Sequence, residues 1–233
     1  MRILAVDTSA VCAGVAVTEN GKILSECSTN TGLTHSRTLL PMIDSALKNA
    51  EIPLESIDLF ACSAGPGSFT GIRIGVAAIK GLCDSTGKKC IPVSTLEALA
   101  YNLLGEDCIA VSVMDARCNQ VYCGIFLVDG EKVERLSDDE AIKIDDLKEK
   151  LEHYDGKIVF VGDGAELCHK ALGYEIAGRG NRFQRGSSVA FLAEEKIKET
   201  EPIDGSELLP VYLRLPQAER ELNNKLKLNN KGE

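Results

Sequence analysis

Histidine is scarce in this chain. Its 233 residues include three, His35, His153 and His169, and none has a partner at metal-ligand spacing, which argues against a histidine metal site. Basic residues are also outnumbered: 26 Lys and Arg stand against 35 Asp and Glu, a net charge of −9. Affinity for nucleic acid rests on Lys and Arg against phosphate, so a chain this acidic is poorly equipped to grip RNA or DNA unless a partner supplies positive surface. No window approaches the roughly 18 apolar residues of a membrane helix. Met1 to Val6 runs straight into a strand-like pattern, without the basic start and cleavage site of a secretory signal. The nine cysteines are scattered, odd in number and free of any C-x-x-C pair; several sit in apolar runs, where a free thiol behaves as a small hydrophobe. The expectation is a cytoplasmic protein that binds no membrane.

What is present is ordinary globular material. Hydrophobic residues at 44% and charged residues at 26% exclude a disordered or fibrous chain. The length suits one large domain or two small ones and buries enough surface to need no metal or disulfide staple. Apolar alternation predicts strands over 2–7, 14–18 and 22–28, the last two joined by the hairpin signal Asn20-Gly21. Helical spacing follows over 35–50, then a buried strand over 57–63, a glycine-rich turn, a helix over 70–85 and a short strand over 91–93. Ser94-Thr95-Leu96-Glu97 has the form of a capping box opening a helix to 104. Strands then begin again over 108–114, 121–128 and 132–136. An acidic helix over 145–152, a strand over 157–162 and helices over 165–172 and 187–199 follow. The charged stretch from Pro216 onward reads as a solvated extension.

Two segments echo each other. Leu4-Ala5-Val6-Asp7-Thr8-Ser9 leads into Ala13-Gly14-Val15-Ala16-Val17. Val111-Ser112-Val113-Met114-Asp115-Ala116-Arg117 leads likewise into Val121-Tyr122-Cys123-Gly124-Ile125. Each is an apolar strand ending in Asp, a tight turn and a second strand, which suggests two units of similar topology, with chance similarity of two hairpins still open. Asp7 and Asp115 stand where ligand-facing carboxylates sit in α/β folds, and equally where Asp caps a turn.

The densest signal is Gly65-Pro66-Gly67-Ser68-Phe69-Thr70-Gly71-Ile72-Arg73-Ile74-Gly75. Strand, glycine-rich loop and helix in that order suit an anion at a helix N-terminus, with Gly65, Gly67 and Ser68 nearest to it. The loop is neither a Walker loop nor a dinucleotide fingerprint, and a purely structural turn fits its spacing equally well. Between Thr70 and Cys83 the only charges are Arg73 and Lys80. A helix apolar almost all round must be covered on more than one side, by this chain or by another. The helix over 35–50 is also apolar beyond one stripe. Both therefore qualify as an interface, with burial inside the chain the equal alternative. His35 is expected at the surface or in that interface. Ser68 has no nucleophile-elbow setting.

These motifs, with Val93-Ser94-Thr95-Leu96-Glu97-Ala98-Leu99-Ala100 and Pro210-Val211-Tyr212-Leu213-Arg214, occur in an order that closely resembles the bacterial TsaB family, formerly YeaZ. The resemblance runs from the N-terminus to about Arg214. It implies an α/β fold of the actin, hexokinase and sugar-kinase type, with ribonuclease-H-like units over 1–104 and 105–215 and a tail over 216–233. It implies a non-catalytic subunit in the synthesis of threonylcarbamoyladenosine on tRNA. The partners would be the catalytic subunit TsaD, the ATPase TsaE and, in a homodimer, a second copy. The chain would meet tRNA only through the complex and hold no metal or cofactor of its own, with ATP or ADP left open for the complex. The implied partner interface comprises His35, Leu39, Leu40, Met42, Ile43, Phe69, Ile72, Arg73, Val76, Ala77, Ile79 and Lys80. Arg or Glu at Val76 or Ile79 is expected to break it. A nucleotide or anion, if held, would meet Asp7, Thr8, Ser9, Gly65, Gly67, Ser68 and Asp115. The catalytic relative carries a His-x-x-x-His metal pair where this chain has Thr95 and Leu99, and neither side chain replaces imidazole. The competing reading is a nucleotide-binding, kinase-like or carbamoyl-transfer enzyme of the same fold. A peptidase has no identifiable nucleophile or metal set here.

Overall fold

The computed structural model describes residues 1–214; the expectation for 216–233 lies outside them. Strands β1 (Arg2–Asp7), β2 (Ala13–Glu19) and β3 (Lys22–Thr29) form an antiparallel meander. Its second turn closes at Asn20 and Gly21 with φ of 50° and 75°, the mirror-type turn that matches strand twist. The chain continues through α1 (His35–Asn49), β4 (Leu59–Gly65), α2 (Phe69–Thr86) and β5 (Cys90–Ser94). Because β4 and β5 add in parallel beside β1, the sheet order is β3-β2-β1-β4-β5.

After α3 (Thr95–Ala100) the pattern repeats. Strands β6 (Asp107–Asp115), β7 (Gln120–Asp129) and β8 (Lys132–Arg135) form a second meander. Then come β9 (Glu140–Lys143), α4 (Ile144–Leu151), β10 (Ile158–Val161), α5 (Ala165–Leu172), β11 (Glu175–Ile176) and α6 (Gly186–Lys196). The second sheet runs β11-β10-β6-β7-β8, with β9 on β7. Read from its other edge this is the order of the first sheet, so the echoed strand–Asp–turn–strand does mark a repeated topology. Two ribonuclease-H-like sheets in one chain make the fold of the actin, hexokinase and sugar-kinase type. The sequence pattern missed β9 and β11, which are four and two residues long, too short for a period to show.

Each sheet is covered on both faces, which is why its central strands read as continuous apolar runs. In β1, Leu4 and Val6 join the core under α1 and α2, while Ile3 and Ala5 face the opposite way into the core with α6. In β6, Ile109, Val111 and Val113 face α4 and α5, and Ala110 and Met114 face α3. The helices after the last strands are exchanged: α3 packs on β6 and β7, and α6 packs on β1 and β2. Ser94 caps α3 by accepting from the Glu97 N–H at 3.2 Å. The capping box is only half formed, because the Glu97 carboxylate instead meets Arg135 at 2.8 Å and Lys196 at 3.3 Å.

The crossing of α6 depends on two glycines. A Cβ on Gly186 would lie 2.4 Å from the Ala16 nitrogen, and one on Gly14 would lie 2.6 Å from the Gly186 nitrogen. The α6 N-terminus is capped from across the sheet. Glu26 of β3 accepts from the Ser187 N–H at 3.0 Å, the Ser187 hydroxyl at 2.6 Å and Arg185 at 2.6 Å. Burial pushes the Glu26 carboxyl up, but the bonds from Arg185 and Ser187 outweigh it and leave the pKa below its ordinary 4.5.

Gly186→Ala should lower stability by about 1–3 kcal/mol, read as an earlier urea midpoint, because the methyl meets backbone that cannot move aside. Glu26→Gln should cost on the order of 1–3 kcal/mol at pH 7. A depressed folded pKa contributes stability above the unfolded pKa and loses it as pH falls through the folded one. The gap between parent and variant should therefore close below the ordinary glutamate value of 4.5. A gap unchanged at pH 3 would count against the cap.

Candidate functional site

The ends of β1, β4 and β6 meet: a Cβ on Gly67, just past β4, would lie 2.9 Å from the Ser9 Cβ and 3.2 Å from the Met114 Cε. At the end of β1, Asp7 is fully buried. Its Oδ1 accepts from the Ser9 N–H at 2.8 Å and the Ser9 hydroxyl at 2.6 Å, and its Oδ2 accepts from the Ser63 hydroxyl at 2.5 Å. The carboxylate thus ties the β1 end to its own turn and to β4. Burial pushes its pKa up, against the bonds from Ser63 and Ser9.

The glycine-rich loop is packed against that same turn. The Ser68 N–H donates to the Ser9 carbonyl at 2.7 Å, and the Ser68 hydroxyl caps α2 by accepting from the Gly71 N–H at 3.3 Å. The Thr8 hydroxyl donates to the Gly71 carbonyl at 2.8 Å. A Cβ on Gly67 would lie 2.5 Å from the Ser9 carbonyl oxygen, and one on Gly71 would lie 2.0 Å from that of Thr8. The space that glycine opens is filled by the chain itself.

Asp115, at the matching end of β6, is exposed and accepts from the Arg117 N–H at 2.7 Å, which caps a turn. A third carboxylate, Asp163, follows β10, and sequence reasoning passed it over. The signal was available, because Asp163 comes one glycine after an apolar strand, close to the placing of Asp7 and Asp115. Its Oδ1 is enclosed without a hydrogen-bond partner. Burial, with Asp115 and Asp7 adding like charge, pushes its pKa from an ordinary 3.8 to about 6. Asp7 and Asp115 thus lie near enough to Asp163 for their charge to act on it.

The expected interface residues divide sharply. Leu39, Ile43, Ile72, Val76 and Ile79 are buried in the core beneath α1 and α2, which corrects their assignment to a partner. An arginine at Val76 or Ile79 would disrupt the fold before any docking. His35 is also buried, with Nε2 2.7 Å from the Ala10 carbonyl, and anchors the β1–β2 turn to α1 rather than facing outward. Leu40, Arg73 and Ala77 are exposed, and Met42, Phe69 and Lys80 are half-buried. Covering of α2 is thus shared: the sheet and α1 take one side, a 3-10 turn at Gly205–Glu207 takes another, and Arg73, Ala77 and Gly81 face out.

Thr95 and Leu99 are both in the core, with at most 1% of their surface exposed. Among the described residues no three His, Cys, Asp or Glu side chains are grouped to hold a metal ion, and no helix is long and apolar enough to cross a membrane.

A carboxyl with a raised folded pKa gives stability below its unfolded pKa that is lost as pH rises through the folded one. Parent stability should therefore fall between about pH 4 and about pH 6, by up to roughly 3 kcal/mol from Asp163. Asp163→Asn should remove this slope and melt higher than the parent at pH 7 but not at pH 4. Equal melting temperatures at pH 7 would contradict the burial of a charged Asp163.

Residues 27–220 match the family model described as TsaD, tRNA N6-adenosine threonylcarbamoyltransferase. The tRNA threonylcarbamoyladenosine biosynthesis protein TsaB of Bacillus subtilis is 33% identical over 226 residues, covering 94% of this chain and 96% of that one. Its Escherichia coli counterpart of the same description is 31% identical, covering 70% and 72%. The structure of YeaZ from Pseudomonas aeruginosa superposes with a TM-score of 0.76 at 24% identity, covering 91% of this chain and 99% of that one. Identity sustained over nearly the whole of both chains, on the same fold, shows that the chain belongs to the TsaB (YeaZ) family.

Proposed function

We propose that this chain is a non-catalytic subunit in the synthesis of threonylcarbamoyladenosine on tRNA, and that it docks on a TsaD subunit through the outward faces of α1 and α2. The observation that carries the reading is the 33% identity to a protein described by that biosynthesis, over 94% of this chain. The non-catalytic part is supported by the cleft. The glycine-rich loop is filled by Thr8 and Ser9, and two core residues, Thr95 and Leu99, stand where the resemblance calls for imidazole ligands. Catalysis and the metal then belong to the partner. The docking part is supported by α1 and α2. Leu40 is 59% exposed, and the exposed or half-exposed Ala77, Ala78 and Gly81 of α2 are small enough to let a second helix come close.

The same reading places the protein in the cytoplasm, where its RNA is modified. TsaE would join the assembly, a second copy would occupy the helical face when TsaD is absent, and ATP or ADP would enter through the complex. Contact with tRNA would be made through the partners, as the net charge of −9 favours. The division at 104/105 into two units belongs to this reading too, with α3 and α6 exchanged between them.

The test is size-exclusion chromatography with light scattering on the parent and on Leu40→Asp/Ala77→Arg, each mixed with TsaD. Both substituted residues are exposed, so the variant should melt like the parent. Its affinity for TsaD should fall at least about tenfold, and the mixture should lose modification activity in step. A variant that co-elutes with TsaD and supports full activity would sink the docking face. If the lone parent hydrolyses ATP, and loses this when Ser68 or Asp115 is replaced by Ala, the enzyme reading takes its place.

A further inference from the structure

The last described segment, residues 205–214, touches both sheets at spaced points. At Gly205 a Cβ would lie 2.7 Å from the Cys83 Cβ, and Lys80 Nζ donates to the Ser206 carbonyl at 3.1 Å. Leu208 is fully buried in the core beneath α2. The Val211 N–H donates to the Ala64 carbonyl at 2.7 Å. Its own carbonyl sits where a Gly65 side chain would be, 2.1 Å from an ideal Cβ, and Gly65 has φ +135°. Tyr212 stacks on Phe69 at 4.3 Å between ring centroids, 10° from parallel, and its hydroxyl accepts from Arg73 Nε at 2.8 Å. The chain then passes to the other half. Leu213 packs against the core that holds Met114, and Arg214 donates to the Ala116 carbonyl at 2.7 Å.

Hydrophobic burial alone does not account for this path. Leu209 is 67% exposed and Val211 51%, so the middle of the segment is held by directional contacts: one backbone bond, one aromatic stack and two guanidinium bonds. A segment placed only for burial would not leave two apolar side chains in water while spending its polar groups on both halves. The path is also complementary to those of α3 and α6, which link the halves on the opposite face of the first sheet from α2. Links on one face permit rotation about that face; links on two faces remove it.

We propose that residues 205–214 form a strap that fixes the two sheets in one relative orientation, anchored on the first by Tyr212 against Phe69 and Arg73 and on the second by Arg214 against Ala116. The cleft then does not open and close as a substrate-binding cleft would; the molecule is a rigid body. This holds whether or not α2 docks a partner, because every contact lies within the chain.

The experiment is a double electron–electron resonance distance measurement on the full chain. Spin labels are placed by Lys22→Cys and Lys132→Cys on a Cys118→Ser background, Cys118 being the exposed cysteine. Both labelled positions are exposed, one on an outer strand of each sheet. The parent should give one narrow distance. Tyr212→Ala/Arg214→Ala should give a broadened or shifted distribution while the circular dichroism spectrum stays native. If that variant fails to fold, Tyr212→Phe/Arg214→Gln keeps the aromatic stack, removes both guanidinium bonds and should broaden the distribution to a smaller degree. A folded variant of either pair with the parent's distribution overturns the strap, as does a parent whose distribution is already broad.

Discussion

The structure depends on covering the second face of the first sheet. The first half of the chain supplies α1 and α2 for one face and little more than Ala98 and Tyr101 for the other. That face is covered by α6, which arrives some ninety residues after β5 in sequence (Gly186 against Ser94). It can come close only because two backbones meet without side chains at Gly14 and Gly186, and its free N–H groups are met by a carboxylate from β3. Until α6 docks, Ile3, Ala5, Leu59, Ala61, Ile91 and Val93 have their apolar surface in water. The two sheets are therefore not independent in stability, although each repeats the topology of the other.

The same economy shapes the cleft. A strand, a glycine-rich loop and a helix N-terminus are the parts of an anion site, and all three are present. Several of the donors are nevertheless spent internally: Ser68 on Ser9, Gly71 on Ser68, and Ser9 and Ser63 on Asp7. Three carboxylates stand around the space that remains. A phosphate would have to displace internal bonds and face negative charge at short range, where a low dielectric magnifies repulsion. The site has the form of a binding cleft and the interactions of a structural joint.

The helical face shows how one apolar helix can serve two purposes. Core-facing positions of α2 carry Ile72, Val76, Ile79 and Cys83, and outward positions carry Arg73, Ala77 and Gly81. Apart from Arg73 the outward residues are small, so the helix gains burial from its own sheet while its outer face stays low. A bulky outer face would have been an exposed hydrophobic patch in the lone protein.

Much of this was legible before any coordinates. The meander with its Asn20-Gly21 turn, both long helices and the repeated strand–Asp–turn–strand follow from local periodicity and turn chemistry, which act within a few residues. The family is legible because its motifs are ordered along the chain. The sequence could also place Asp7, Ser68 and Asp115 at element ends, since strand and helix boundaries are local events. It could not tell which side of α1 and α2 faces the sheet when both sides are apolar, so Leu39, Val76 and Ile79 stood level with Leu40 and Ala77. It could not show that Thr8 fills the space beside Gly71, nor that Asp163 shares a cleft with Asp7, because those contacts join residues far apart in sequence. The sequence by itself determined the elements, their repeat and the family. The tertiary structure alone decided burial, the exchange of α3 and α6 and the occupation of the glycine-rich loop, because each is a competition for the same space between distant segments.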